Sequence, residues 1–111
     1  MTETLSTTVR RIDDGVAVLD IQGDITSASE DALGEAYAEA AEGGTRAVAL
    51  NFTGVDYINS TGIAVIVGLL ARARTNGQTL SARGLTEHYR QIFEITRLAD
   101  FMTILDGREG E

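Results

Sequence analysis

Residues 46–71 read RAVALNFTGVDYINSTGIAVIVGLLA, and the fold turns on this stretch. Between Arg46 and Phe52 apolar side chains occupy both parities, with Val48, Leu50 and Phe52 on one side and Ala47 and Ala49 on the other. A strand apolar on both sides predicts a central position in a sheet covered on both faces. From Ile63 to Ala71 the chain stays apolar with Gly68 as the only break, and Asn59, Ser60 and Thr61 supply capping groups just ahead of it. That pattern predicts a helix from about Ser60 to Arg74, stopped at Asn76-Gly77. A buried strand leading directly into a helix is half of a parallel crossover unit.

Reading outward extends the alternation. Downstream, Thr79 to Arg83 predicts a short strand. A helix follows from near Thr86, carrying Tyr89, Ile92 and Phe93 inward and continuing irregularly through Leu98 and Phe101. Thr103 to Leu105 predicts a last strand. Upstream, Leu5 to Ile12 and Val16 to Ile21 flank the turn Asp13-Asp14-Gly15 and predict a hairpin with Ala17, Leu19 and Ile21 on its buried side. Ser27 and Glu30 fit a capping box for a helix that turns Leu33, Ala36, Tyr37 and Ala40 inward. Glu35, Glu39 and Glu42 face outward, and Gly43-Gly44 ends the helix. The expected fold class is α/β: a mixed, mostly parallel sheet of four to five strands with helices, opening on a β-hairpin. A chain of 111 residues fits one domain, with a core over residues 5–105 and a polar tail over residues 106–111.

Composition narrows the chemistry. All nine basic residues are Arg, which removes every mechanism that needs a lysine, and the absence of Cys removes disulfides, thiolate metal sites and thiol nucleophiles. The net charge of −8 sits wholly in residues 1–56, which hold three Arg against eleven acids. No basic stripe exists for a polyanion, so neither nucleic acid nor a membrane surface is an expected partner. No basic and apolar leader follows Met1, and the longest apolar run falls short of the roughly 20 residues that cross a bilayer, so a cytoplasmic chain is expected. The one histidine, His88, has no nucleophile-elbow serine to serve, and the glycines match no dinucleotide fingerprint. No catalytic residue, metal or cofactor is expected.

What remains is the head of the apolar helix. Its first amides lack intrahelical partners and carry partial positive charge. A phosphate on Ser60 would add about −1.5 to −2 charges, tolerable at a free helix end and costly inside a dry interface. Asn-Ser-Thr-Gly is equally a good helix start with no further role. Ile63, Ala64, Val65, Ile66, Val67, Leu69 and Leu70 wrap nearly around the helix, so a neighbouring helix or a partner protein must cover what the sheet does not.

These residues resemble a known family, the STAS domain shared by bacterial anti-sigma factor antagonists and the cytoplasmic tails of sulfate transporters. The resemblance runs from about Leu5 to Leu105. It is carried by Gly23-Asp24-Ile25, by Val48-Ala49-Leu50-Asn51-Phe52, by Tyr57-Ile58-Asn59-Ser60-Thr61-Gly62-Ile63, and by Gly84-Leu85 ahead of Ile92-Phe93 and Leu98. It implies that Ser60 is phosphorylated by an anti-sigma factor serine kinase, which binds the ATP, and that the unphosphorylated chain sequesters that kinase. It also implies a docking surface of Gly23, Asp24, Asn59, Ser60, Thr61, Gly62, Ile63, Ile66, Val67 and Leu70. Asn59 stands where the family pattern has aspartate, and Thr26 where an acidic residue often lies. The alternative implied by Asn59 is a STAS scaffold subunit that assembles without phosphorylation, and an exposed apolar helix would serve a homodimer as readily as a hetero-complex.

Overall fold

The computed structural model describes residues 5–105. The tail expected over residues 106–111 lies outside them. Five strands form one sheet in the order β1-β2-β3-β4-β5: β1 Leu5–Asp13, β2 Val16–Ile25, β3 Ala47–Ile58, β4 Thr79–Arg83 and β5 Thr103–Ile104. The β1–β2 pair is an antiparallel hairpin and the other three pairs are parallel. Three helices intervene: α1 Glu30–Ala40, α2 Ser60–Thr75 and α3 Glu87–Ile95. The sequence-based order and the mixed, hairpin-first sheet are therefore what the chain adopts.

Register aligns one apolar row across all five strands: Val9, Leu19, Leu50, Ala82 and Ile104. Leu33, Ala36, Tyr37 and Ala40 of α1, Ile66, Leu69, Leu70 and Ala73 of α2, and Phe93 of α3 join that row in one core. Phe93 meets Phe52 edge-on, with ring centroids 5.8 Å apart. The helices thus cover one face, which corrects the expectation that β3 is sandwiched. On the opposite face the neighbouring row is Arg10, Val18, Ala49, Ser81 and Thr103, and Ala47 and Ala49 are only half-buried. Alanine is small enough for an open face, so apolar character on both parities was a misleading guide. Polar groups dress that face. Arg10 donates from Nη2 to Asp20 Oδ1 at 3.0 Å, and Asn51 donates from Nδ2 to the same oxygen at 2.7 Å. These donors, Arg10 foremost, hold the Asp20 carboxyl below the usual aspartate range.

Two elements outrun their sequence signal. β2 continues to Ile25 rather than Ile21, and β3 to Ile58 rather than Phe52. The extension is irregular: the β2–β3 register shifts between Asp20 and Gln22 and again between Gly23 and Asp24, with β3 using an extra residue each time. Gly23 takes φ 105°, a conformation that L side chains rarely adopt. These bulges destroy the period-2 alternation that marks a strand, so the sequence pattern fades where the pairing persists.

Candidate functional site

The extended tips of β2 and β3 lie side by side, pairing Gly23 with Val55, Asp24 with Tyr57 and Ile25 with Ile58. Each then leads into helical structure at the same end of the sheet, and this junction brings together residues far apart in sequence. After β2, a 3₁₀ turn over Ser27–Ser29 precedes α1. The capping box expected at Ser27 and Glu30 falls one residue earlier. Thr26 is the cap: Ala28 N donates to Thr26 Oγ1 and Thr26 N donates to Ser29 Oγ at 3.0 Å. Ser29 itself is buried and donates to the carbonyl of Asp24 at 3.1 Å. Being buried, Ser29 takes the partner role assigned by sequence pattern to the exposed Glu30.

After β3, Asn59 caps α2. Its Oδ1 accepts from Gly62 N and from Thr61 Oγ1, both at 2.8 Å. An amide oxygen serves here as well as a carboxylate oxygen would, so the neutral residue keeps the helix start intact. Asn59 N donates to the carbonyl of Ile25 at 3.2 Å, and Thr61 Oγ1 accepts from Ser27 N at 3.1 Å. Gly62 is buried against the same strand end. A Cβ there would overlap the Ile25 carbonyl, whose carbon would lie only 2.7 Å away. Glycine is what lets the head of α2 approach β2 so closely.

Ser60 is exposed at the first position of α2, and no side-chain hydrogen bond occupies its hydroxyl among the described residues. Behind it Ala64, Val67, Gly68 and Ala71 are exposed along the helix, with Ile63 and Val65 half-buried; no charge interrupts this strip before Arg72. Val67 is 46% exposed. Ile66 and Leu70 do not belong to this surface, which corrects their assignment to it: both are core residues against the sheet. Their 3.6-residue spacing with Gly62, Leu69 and Ala73 marks the inner face, a distinction blurred by the apolar residues on all sides. Gly23 and Asp24 are half-buried at the β2 tip, next to Tyr57, which is 51% exposed. Tyr57 belongs to the resemblance motif but not to the docking surface it implies, because no period-2 alternation marks a strand tip there. Tyr89 of α3 completes the junction by accepting from Ile58 N at 2.9 Å. His88 meets Tyr89 edge-on and makes no hydrogen bond to Ser60 or Ser81 among the described residues. No described helix is long and apolar enough to cross a membrane.

Comparison with known proteins places this geometry. A family model described as "Mlab, STAS domain" matches residues 8–106. The anti-sigma-B factor antagonist of Staphylococcus aureus is 37% identical over 68 residues, covering 61% of this chain and 63% of that protein. The match therefore spans less than two thirds of that relative. The solved structure of the anti-sigma factor antagonist SpoIIAA in its unphosphorylated form superposes with a TM-score of 0.71 at 12% identity, over 94% of this chain and 91% of that one. The phosphorylated form of the Bacillus cell fate determinant SpoIIAA gives 0.66 at 13% identity, over 94% and 93%. At these identities the structures share the fold.

Proposed function

The chain belongs to the STAS domain family, and from that premise we propose that it acts as an anti-sigma factor antagonist, a non-catalytic binding module gated by phosphorylation of Ser60. The observation that carries this reading is the pairing of a free, exposed hydroxyl at the first turn of α2 with an uncharged, partly apolar strip behind it. Unphosphorylated, the strip from Ser60 to Ala71, flanked by Gly23 and Asp24, docks an anti-sigma factor kinase that brings its own ATP. Phosphorylated, Ser60 carries about two negative charges into an interface with no internal cation on the first three turns of α2 to neutralise them, and the complex dissociates. The helix end stabilises the phosphate in the free chain and so favours release. The name of the Staphylococcus aureus relative supports the antagonist role, and the existence of SpoIIAA in two phosphorylation states supports the gate.

Incubation with the cognate serine kinase and ATP, followed by intact mass and peptide mapping, tests the assignment. One phosphoryl group on Ser60 is the expected result, and a group elsewhere or none at all counts against it. Ser60→Asp is expected to weaken kinase binding while leaving thermal stability nearly unchanged. Asn59 favours a second reading, in which the chain is an assembly subunit that is not phosphorylated. Light scattering over a concentration series separates the two, since a scaffold grows with concentration and a switch module stays small.

A further inference from the structure

The two adjacent hydroxyls at the head of α2 are in opposite states. Ser60 is exposed and unengaged, whereas Thr61 is spent twice over: its proton goes to Asn59 Oδ1 at 2.8 Å and its oxygen accepts from Ser27 N at 3.1 Å. Ser27 opens the 3₁₀ turn whose far end is tied to β2 through Ser29, by way of the Asp24 carbonyl and Thr26 N. Among the described residues the Ser27 N to Thr61 Oγ1 bond is the hydrogen bond that joins this turn to α2, while the Asn59 N to Ile25 carbonyl bond joins the end of β2 to the cap. We infer that Thr61 is a positioning residue: its hydroxyl clamps the Ser27–Ser29 turn onto the head of α2, fixing one recognition face around Ser60 and withdrawing itself as a competing phosphoryl acceptor.

This inference rests on the reading of Ser60 as the phosphorylated residue. In the transfer, a bond forms between Ser60 Oγ and the γ-phosphorus of the kinase's ATP, the bond from that phosphorus to the β–γ bridging oxygen breaks, and ADP leaves. The hydroxyl proton passes to a base of the kinase. An attacking oxygen needs a lone pair aimed at phosphorus and a proton free to depart. Thr61 has its proton directed inward at Asn59 and one of its two lone pairs accepting from an amide, so attack would require the bond to Asn59 to break and the one remaining lone pair to face phosphorus. Ser60 has no such bond to break among the described residues.

The clamp also separates recognition from chemistry. Without it the turn at Ser27 loses its link to the helix, and a kinase must order the turn on binding. The transfer at Ser60, once docked, is untouched.

Three variants test this. Thr61→Val keeps the shape and removes the hydroxyl, and Thr61→Ser restores the hydroxyl. By amide hydrogen exchange, Thr61→Val is expected to speed exchange at Ser27 by about tenfold, while Thr61→Ser stays near the wild-type rate. As a kinase substrate, Thr61→Val is expected to raise KM several-fold with kcat unchanged, and Thr61→Ser to recover the wild-type KM. Ser60→Ala is expected to take up no phosphate at Thr61. Unchanged protection of Ser27 in Thr61→Val overturns the clamp, and phosphate on Thr61 in Ser60→Ala overturns the withdrawal. If the wild-type chain is not phosphorylated at all, the proposed function fails, while the exchange measurement still decides whether Thr61 holds the turn.

Discussion

The heads of α2 and α3 begin with the same local device and end in different settings. Asn59 and Thr86 are both extended residues whose side-chain oxygens accept from the amide three positions on, Gly62 N in one case and Tyr89 N in the other. Beyond the cap they part. At the first helical position α2 has Ser60 and α3 has Glu87, a charge that already complements the helix end. At the third position α2 has a glycine jammed against the Ile25 carbonyl, while α3 has a tyrosine whose hydroxyl reaches back to Ile58 N. One head is packed tightly against the strand tips and leaves a neutral, unused hydroxyl outside. The other leans across as a prop. Capping chemistry therefore does not tell the two helix starts apart; the packing beneath them and the surface beside them do.

The largest break in this contrast should come at Gly62. Gly62→Ala places a methyl into the Ile25 backbone, which cannot swing away as a side chain can, and the helix must lift from β2. A loss of about 3 kcal/mol in urea unfolding is expected. Gly68→Ala, with nothing within 4 Å, serves as the control within the same helix and should not destabilise. A fully tolerated Gly62→Ala would mean that the two heads are packed alike.

The caps give a smaller effect. Asn59→Ala removes an acceptor used by both Gly62 N and Thr61 Oγ1 and should cost about 1.5 kcal/mol, against about 1 kcal/mol for Thr86→Ala. Asn59→Asp should stay within about 0.5 kcal/mol of the wild type, since either side chain accepts both bonds. Chemical denaturation of the variants measured together reads the order. Tyr89→Phe tests the prop: Ile58 N loses its acceptor in a partly buried place, and a cost of about 1 kcal/mol is expected, with faster exchange at the Ile58 amide.

The sheet face away from the helices supplies the weakest check, because Arg10 and Asp20 on it are partly open to solvent. Asp20 is held below its usual range by the Arg10 and Asn51 hydrogen bonds, so its folded pKa lies under its unfolded one. Its contribution is then complete above the ordinary aspartate value of 3.8 and fades as pH falls through the folded value. Asp20→Asn should lose less than about 1 kcal/mol near neutral pH and show a shallower fall in stability below about pH 4. Unfolding midpoints across a pH series measure it.

Much of this was legible in the chain. β4 is bounded as its residues predict, and α2 begins where Asn59, Ser60 and Thr61 announce it and ends beside Asn76-Gly77. The hairpin and the order of strands and helices follow from period and turn chemistry, which are local properties written in neighbouring side chains. The Asn59 cap was likewise visible, because the motif that carries it is contiguous. Other features depended on neighbours that only the folded chain supplies. Apolar residues on both parities of β3 did not reveal that no helix covers the Ala47 and Ala49 side, since burial depends on what lies opposite. The bulged tips of β2 and β3 pair without alternation, so the surface made by Asp24, Tyr57 and Ser60 had no periodic signal. Ile66 and Leu70 looked as available as Val67 because an all-apolar helix does not declare its inner face. Ser27 and Thr61 stand 34 positions apart, and their bond exists because the strands that deliver them run parallel at the same end of the sheet. Local sequence dictated the elements and their caps; which surfaces were left free, and which hydroxyl was spent, was decided by how those elements closed on one another.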